Sequence, residues 1–293
     1  MITGYAIILE DEFLYYSNEK KYAVFEIILF VEKFLRTINP TQTWYLNNIL
    51  LESNIVERII IKHFITKEGR NLFFCITGDF ELESKEARNM LDDFFNQVKK
   101  EYKTIADLKN ASTQNSFKEQ IKLFTYKLWN QYAPLLEKEK LERKNNSKAK
   151  NRVLYCGISS QGLPIISQLY EKKILKYLDV KVSKDNIEVF NSNLSAQLAT
   201  IEMNALIRAK TSIREIHIVD SKDKKQKKMI MYENIGKYSL DFFASGNFYR
   251  LKEKLKELKD NLSKEPILHT EFTGDLKSYK GLMQYFTDLE KKF

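Results

Sequence analysis

The chain has 293 residues, about two domains at the usual size of roughly 150 each, and its 43% hydrophobic and 13% aromatic content is enough for real cores and excludes the disordered class. Nine glycines and four prolines are too few for a turn-rich sandwich and predict long regular elements. The net charge of +9 is uneven: residues 1–105 carry 13 basic and 16 acidic side chains, residues 106–293 carry 35 and 23.

From the N-terminus, "GYAIIL" and "FLYYS" read as two strands around the acidic turn "EDE". No basic lead precedes them, so no signal peptide is expected there and the chain is expected to be cytoplasmic. In "YAVFEIILFVEKFLRTI" the residues Val24, Ile27, Ile28, Val31, Phe34, Leu35 and Ile38 repeat at helical spacing until Asn39-Pro40 stops them. Glu26, Glu32 and Lys33 interrupt this run, the most apolar in the chain, so it is not a membrane span. "TWYLNNILLE", "VERIIIKHFIT" and "LFFCITGDFELE" follow as strands. Their connections, around Ser53-Asn54 and "KEGRN", are too short for parallel crossovers, which predicts an antiparallel meander. Ser84 caps a helix over "KEARNMLDDFFNQVKKEY". A further helix, "FKEQIKLFTYKLWNQYAPLL", is expected to bury Phe117, Ile121, Phe124, Leu128, Tyr132 and Leu135 on one face. Residues 138–152, with seven basic and two acidic side chains, read as a solvated linker and place the domain boundary there.

After the linker the same order returns. "RVLYCGI" and "LPIISQLY" are strands around "SSQG", and a polar insertion, residues 171–186, leads to a helix. That helix is expected to start at an Asp185 cap with Glu188 at capping-box spacing and to carry the seam Ile187, Phe190, Leu194, Leu198, Ile201 and Leu206. "REIHIVD", "KMIMYENI" and "GKYSLDFFA" are three more strands. Asn247 then caps a helix with Phe248, Leu251, Leu255, Leu258 and Leu262 on one stripe. In residues 263–293, Leu276, Tyr279, Leu282, Met283, Phe286 and Leu289 predict an amphipathic helix that docks on the rest.

The glycines of "CGISSQGLPIIS" do not make a phosphate-binding loop. Only four residues separate Gly157 from Gly162, no lysine follows, and Pro164 opens a β-rich run, so "SSQG" is a hairpin turn. Strands nearly continuous in Ile, Leu, Val and Phe must be covered on both faces. The expected class is therefore α/β: two α-β-α sandwiches, each a five-stranded antiparallel sheet in the order β-β-α-β-β-β-α, joined by a helical and basic linker.

This order resembles the longin and roadblock families, which share a profilin-like fold. "LYCGISSQGLPIISQL" is similar to the roadblock opening hairpin, "LSAQLATIEMNALIRA" to its small-residue-rich central helix, and "FFASGNFYRLKEKLKEL" to its last strand, Gly-Asn cap and final helix. The first half resembles a longin domain by topology and by starting within five residues of the N-terminus. The resemblance implies a longin-like domain over 1–104, a helix plus basic linker over 105–151, a roadblock/longin-like domain over 152–262 and a C-terminal extension over 263–293. The helix near Phe117 is either the third longin helix or the leading helix of the roadblock unit. By the same resemblance the chain is a non-enzymatic scaffold or regulator of a small Ras-like GTPase, an exchange-factor subunit among the options, and pairs with other longin or roadblock domains within or between chains.

Residue chemistry agrees with a protein that binds. His63, His217 and His269 are too scattered among two cysteines to form a zinc site, and Cys75 and Cys156 lie in apolar runs that suit reduced structural thiols. His63 reads as a core histidine. Asp79, Glu81 and Glu83 would share one strand face, yet no partner histidine or second carboxylate motif lies nearby, and Ser159 and Ser160 lack a nucleophile elbow. No cofactor is expected. "SKDKKQKKM" places Lys222, Lys224, Lys225, Lys227 and Lys228 at a hairpin tip, a candidate surface for phosphate, acidic lipid or an acidic protein, or simply a solubilising tip. An adaptor for a membrane surface or polyanion, using linker and loop, is the alternative reading. Nucleic acid is disfavoured because the aromatics do not interleave with these lysines.

Overall fold

The computed structural model describes residues 2–39, 43–139, 151–170, 184–222 and 227–291. Most of the basic linker (140–150), most of the insertion (171–183) and the loop residues 223–226, with Lys224 and Lys225, lie outside the described residues. Among those described, ten strands and seven α-helices give a mixed α/β architecture. Two compact units divide the chain: Met1–Leu29 with Leu46–Asn146, and Phe30–Tyr45 with Ser147–Phe293. No helix among the described residues is long and apolar enough to cross a membrane.

In the first unit, β1 (Ile2–Leu9), β2 (Glu12–Tyr16), β3 (Trp44–Glu52, from Leu46 on), β4 (Val56–Ile65) and β5 (Asn71–Gly78) pair antiparallel in the order β2-β1-β5-β4-β3. The expected meander of β3, β4 and β5 is present. β1 is buried along nearly its whole length, as a strand covered on both faces must be. On one face Tyr5, Ile7, Ile60, Phe74 and Ile76 pack against α2 (Lys85–Glu101) and α4 (Asn115–Glu139). On the other, Phe25 of α1 (Tyr22–Ile38) lies over Gly4, 3.5 Å from where a side chain there would begin.

One charged pair sits under the start of α1. Burial pushes the Glu57 carboxyl up, but Lys21 Nζ at 2.6 and 2.8 Å and the hydroxyls of Thr3 and Thr77 outweigh that and hold it below the ordinary carboxylate range. Ser84 caps α2, its Oγ accepting from the Ala87 amide at 3.0 Å, and Ala87, Met90, Leu91, Phe94 and Val98 form the buried seam. Thr104 and Asp107 form a reciprocal capping box on α3 (Ile105–Ser112), with bonds of 3.0 and 3.1 Å.

Two expectations in this unit need correction. α4 buries Phe117, Ile121, Thr125, Leu128, Tyr132 and Leu136, so Phe124 is only partly buried and Leu135 faces out. Thr125 tolerates burial because its hydroxyl donates to the Lys122 carbonyl at 3.0 Å, which lets the seam advance past Phe124. β5 ends at Gly78, so Asp79, Glu81 and Glu83 follow the strand in an irregular turn and share no strand face. The buried Phe80 anchors that turn, its carbonyl accepting from Arg58 Nε at 3.3 Å.

In the second unit, β6 (Arg152–Ser160), β7 (Leu163–Leu169), β8 (Ser212–Asp220), β9 (Lys227–Ile235) and β10 (Tyr238–Ser245) pair antiparallel in the order β7-β6-β10-β9-β8. Numbered from the first strand of its own unit, this is the same permutation as in the first. "SSQG" is a hairpin turn as expected: Gln161 and Gly162 both adopt left-handed φ, 52° and 79°, the twist a two-residue loop needs. α5 (Lys184–Ala209) follows β7, and α6 (Phe248–Leu262) follows β10 with Asn247 Oδ1 accepting from the Arg250 amide at 3.2 Å. The predicted α6 seam of Leu251, Leu255, Leu258 and Leu262 is buried.

α5 departs from its predicted seam. Leu194, Ser195, Leu198, Ala199, Ile201 and Ala205 are buried, whereas Leu206 is exposed, and the helix already includes Asp185. Small residues take the inner positions because the sheet face beneath is crowded with tyrosines. The C-terminal extension is only partly α-helical: 3-10 segments at Pro266–His269 and Leu276–Leu282 precede α7 (Met283–Lys291). Its predicted apolar residues Tyr279, Leu282, Phe286 and Leu289 do dock, joining Cys156, Ile158, Met231 and Phe242 in one core, while Leu276 is exposed.

Candidate functional site

Among the described residues no group of three or more His, Cys, Asp or Glu is arranged to hold a metal. The three histidines have separate local partners. His63 is half-buried, 3.0 Å from Asn71 Oδ1 and against the Phe73 ring, so it is less enclosed than a core residue. His217 is 3.1 Å from the Glu215 carboxylate, and His269 is 2.8 Å from the Ser263 carbonyl. Cys75 and Cys156 are free and fully buried, and burial pushes both thiols well above their ordinary range, which makes them poor nucleophiles.

Of the candidate lysines, Lys222, Lys227 and Lys228 are among the described residues, and Lys228 does not share an exposed surface with the other two. Lys222 and Lys227 are exposed at the ends of β8 and β9. Lys228, only 5% exposed, turns inward: its Nζ is 2.8 Å from Asp220 Oδ2 and 4.9 Å from the centre of the Trp44 ring. Trp44 Nε1 donates to the same oxygen at 3.2 Å, and the Lys222 amide donates to Oδ1 at 2.9 Å. Asn39 holds the tryptophan in place, its Oδ1 accepting from the Thr43 amide at 2.8 Å and the Trp44 amide at 3.3 Å. A lysine fixed between a carboxylate and an indole face is a structural cation, which removes Lys228 from the candidate surface.

The second polar concentration lies between α5 and its sheet. Asp241 in β10 stands opposite Gly157 of β6 and Tyr232 of β9 and is fully buried. Ser239 Oγ donates to its Oδ1 at 3.0 Å, while Oδ2 has no hydrogen-bond partner among the described residues. Burial first, and the Glu202 carboxyl on α5 second, push Asp241 well above the ordinary carboxylate range. Burial raises Glu202 as well, against the pull of Ser239 and Arg214. Tyr155 donates to Ser195 Oγ at 2.9 Å and Tyr232 to the Leu198 carbonyl at 3.4 Å, so both rings reach across to α5. Gly157 is required there, because a Cβ would collide with the Tyr155 hydroxyl. A carboxyl kept protonated among hydroxyls can donate as well as accept. Such a layer ties helix to sheet through directional bonds where the opposite face uses apolar packing.

No protein-family model matches the chain, and no curated protein matches it in sequence.

Sequence reasoning passed over Asp241, although a lone acid inside the apolar run "YSLDFFAS" is the signal that marks a buried polar position. It also passed over Trp44 as a partner of the lysine hairpin, for which no local signal exists, since Trp44 and Asp220 are 176 residues apart.

Proposed function

We propose that the chain is a pair of longin- or roadblock-like modules, each a five-stranded sheet clothed by helices on both faces, that binds a Ras-like small GTPase as a scaffold or regulator. The observation that carries this reading is topological. The order strand, strand, helix, three strands, helix occurs twice, each time with the pairing 2-1-5-4-3, and the notable segments of the second module are those that resemble the roadblock hairpin, central helix and final helix. Function resides in a site rather than in a fold, so binding itself is the test.

A binding role fits the rest of the molecule. β2 pairs only with β1 in its own unit's order, and Phe13, Tyr16 and Tyr22 cluster beside it with ring centres 4.6 to 6.1 Å apart, a combination suited to strand addition or aromatic anchoring by a partner. Regulation would then work by differential affinity, the chain favouring one nucleotide state of the GTPase over another.

The test mixes the purified chain with Ras-like GTPases from its own source cell, each prepared nucleotide-free, GDP-bound and bound to a non-hydrolysable GTP analogue. Co-elution in at least one state is expected, and fluorescent-GDP release at catalytic chain concentrations separates an exchange factor from a passive platform. Absence of binding in all three states across the set overturns the reading.

A further inference from the structure

We propose that the outward face of α4 is a docking surface for an acidic lipid bilayer, with Leu123, Tyr126 and Trp129 entering the headgroup region and Lys118, Lys122 and Lys127 contacting lipid phosphates. This does not depend on the GTPase reading.

The rotation of α4 is fixed from inside. Phe117, Ile121 and Leu128 are completely enclosed by the first unit's core, so the residues on the opposite side cannot turn inward to hide. Those residues are unusually apolar for an outer helix face: Leu123 is 60% exposed, Tyr126 63% and Trp129 39%. They recur every third residue, which places them on one flank. Ordinary solvated helices put charge there, and a contiguous apolar flank marks a contact surface.

Charge decides which contact. Between Asn115 and Gln131 the helix carries Lys118, Lys122 and Lys127, all exposed, against the single acid Glu119. Tyrosine and tryptophan with leucine prefer the depth where a bilayer passes from headgroups to acyl chains, and lysines lying along such a face reach back to the phosphates. A partner groove in another protein would be served by the aromatics alone. The basic border is the feature specific to an anionic surface. The sequence that continues from this helix, residues 138–152, has seven bases to two acids and adds long-range attraction of the same sign.

Tryptophan fluorescence of the unaltered full chain is the first measurement. The protein has two tryptophans and Trp44 is 1% exposed, so a change in emission on adding vesicles reports Trp129. With vesicles of about three parts phosphatidylcholine to one part phosphatidylserine, a blue shift and co-sedimentation are expected, with neither on pure phosphatidylcholine. Replacing Leu123, Tyr126 and Trp129 together by serine is expected to weaken co-sedimentation about tenfold or more, as is Lys118, Lys122 and Lys127 to glutamine, the latter also flattening the salt dependence. All six side chains are exposed, and circular dichroism checks that both variants remain folded. An unchanged emission spectrum with the chain left in the supernatant overturns the proposal. So does full binding by the serine variant, which would assign the attraction to the basic sequence alone.

Discussion

The groups facing Asp241 are the Glu202 carboxyl from α5, the hydroxyls of Ser239 and Ser159, and the phenols of Tyr155 and Tyr232, so no cation among them offsets its burial. Its folded-state pKa is raised above the ordinary 3.8, so the folded protein keeps a proton that the unfolded chain releases. Stability is therefore highest below the ordinary carboxylate range and falls as pH climbs from there towards the raised value. Glu202, also raised, adds to the same slope. Asp241→Asn keeps the acceptor for Ser239, removes the ionisation and supplies a permanent donor in place of the proton. It should be more stable than the parent at pH 8 by about 1–2 kcal/mol, near parity at pH 4, with a flatter pH profile between. Thermal melts of both proteins across that range are the check. A variant destabilised equally at every pH would mean that the amide disturbs packing more than the carboxyl costs in ionisation.

Between elements, one contact joins the end of α4 to the start of α2. The Glu139 carboxylate accepts from the Ser84 hydroxyl at 2.5 Å and the Lys85 amide at 2.6 Å, placing a negative charge on the unsatisfied N–H groups of a helix whose cap is Ser84 itself. Glu139→Ala should cost about 1–2 kcal/mol in chemical denaturation, and Glu139→Gln about half as much because the amide oxygen still accepts but carries no charge. Equal losses would assign the effect to the charge alone, and a Glu139→Gln protein as stable as the parent would assign it to hydrogen bonding. Features of this kind divide by how local they are. The Ser84 and Asn247 caps, the α6 stripe and the Gln161-Gly162 turn could be read from sequence because each is decided within a few residues. The α4 seam shifted by one position and α5 lost Leu206 because apolar periodicity does not show which polar residues find partners when buried: the Thr125 hydroxyl donates to a carbonyl of its own helix, and Ser195 accepts from Tyr155 of β6. The carboxylate that docks on α2 comes from 54 residues further on, and nothing near Ser84 announces it.

At the scale of the molecule, the hairpins and the meander were legible because short connections force antiparallel neighbours, but the pairing of β1 with β5 and of β6 with β10, strands distant in sequence, was not announced by them. Membership of residues 30–45 in the second unit was not legible either, because the residues that place them there are distant in sequence. Phe30 lies 4.9 Å from the Arg208 guanidinium, the Thr43 carbonyl accepts from the Ser221 amide at 2.7 Å, and Trp44 packs edge-on to Phe243 while bonding Asp220. A fragment consisting of residues 147–293 would keep Asp220 and Lys228 but lose the indole above them and the apolar C-terminal turns of α1. Losing one large buried aromatic alone costs about 3–5 kcal/mol, a large share of the stability of a domain this size. The fragment is therefore expected to melt well below the full chain and to bind a hydrophobic dye, whereas joining residues 22–45 to its N-terminus through a flexible linker should restore a cooperative transition. If 147–293 alone already unfolds as sharply and as late as the linked form, Trp44 and the end of α1 are passengers on the second unit. In that event the Asp220–Lys228 pair must be sustained by the hairpin itself.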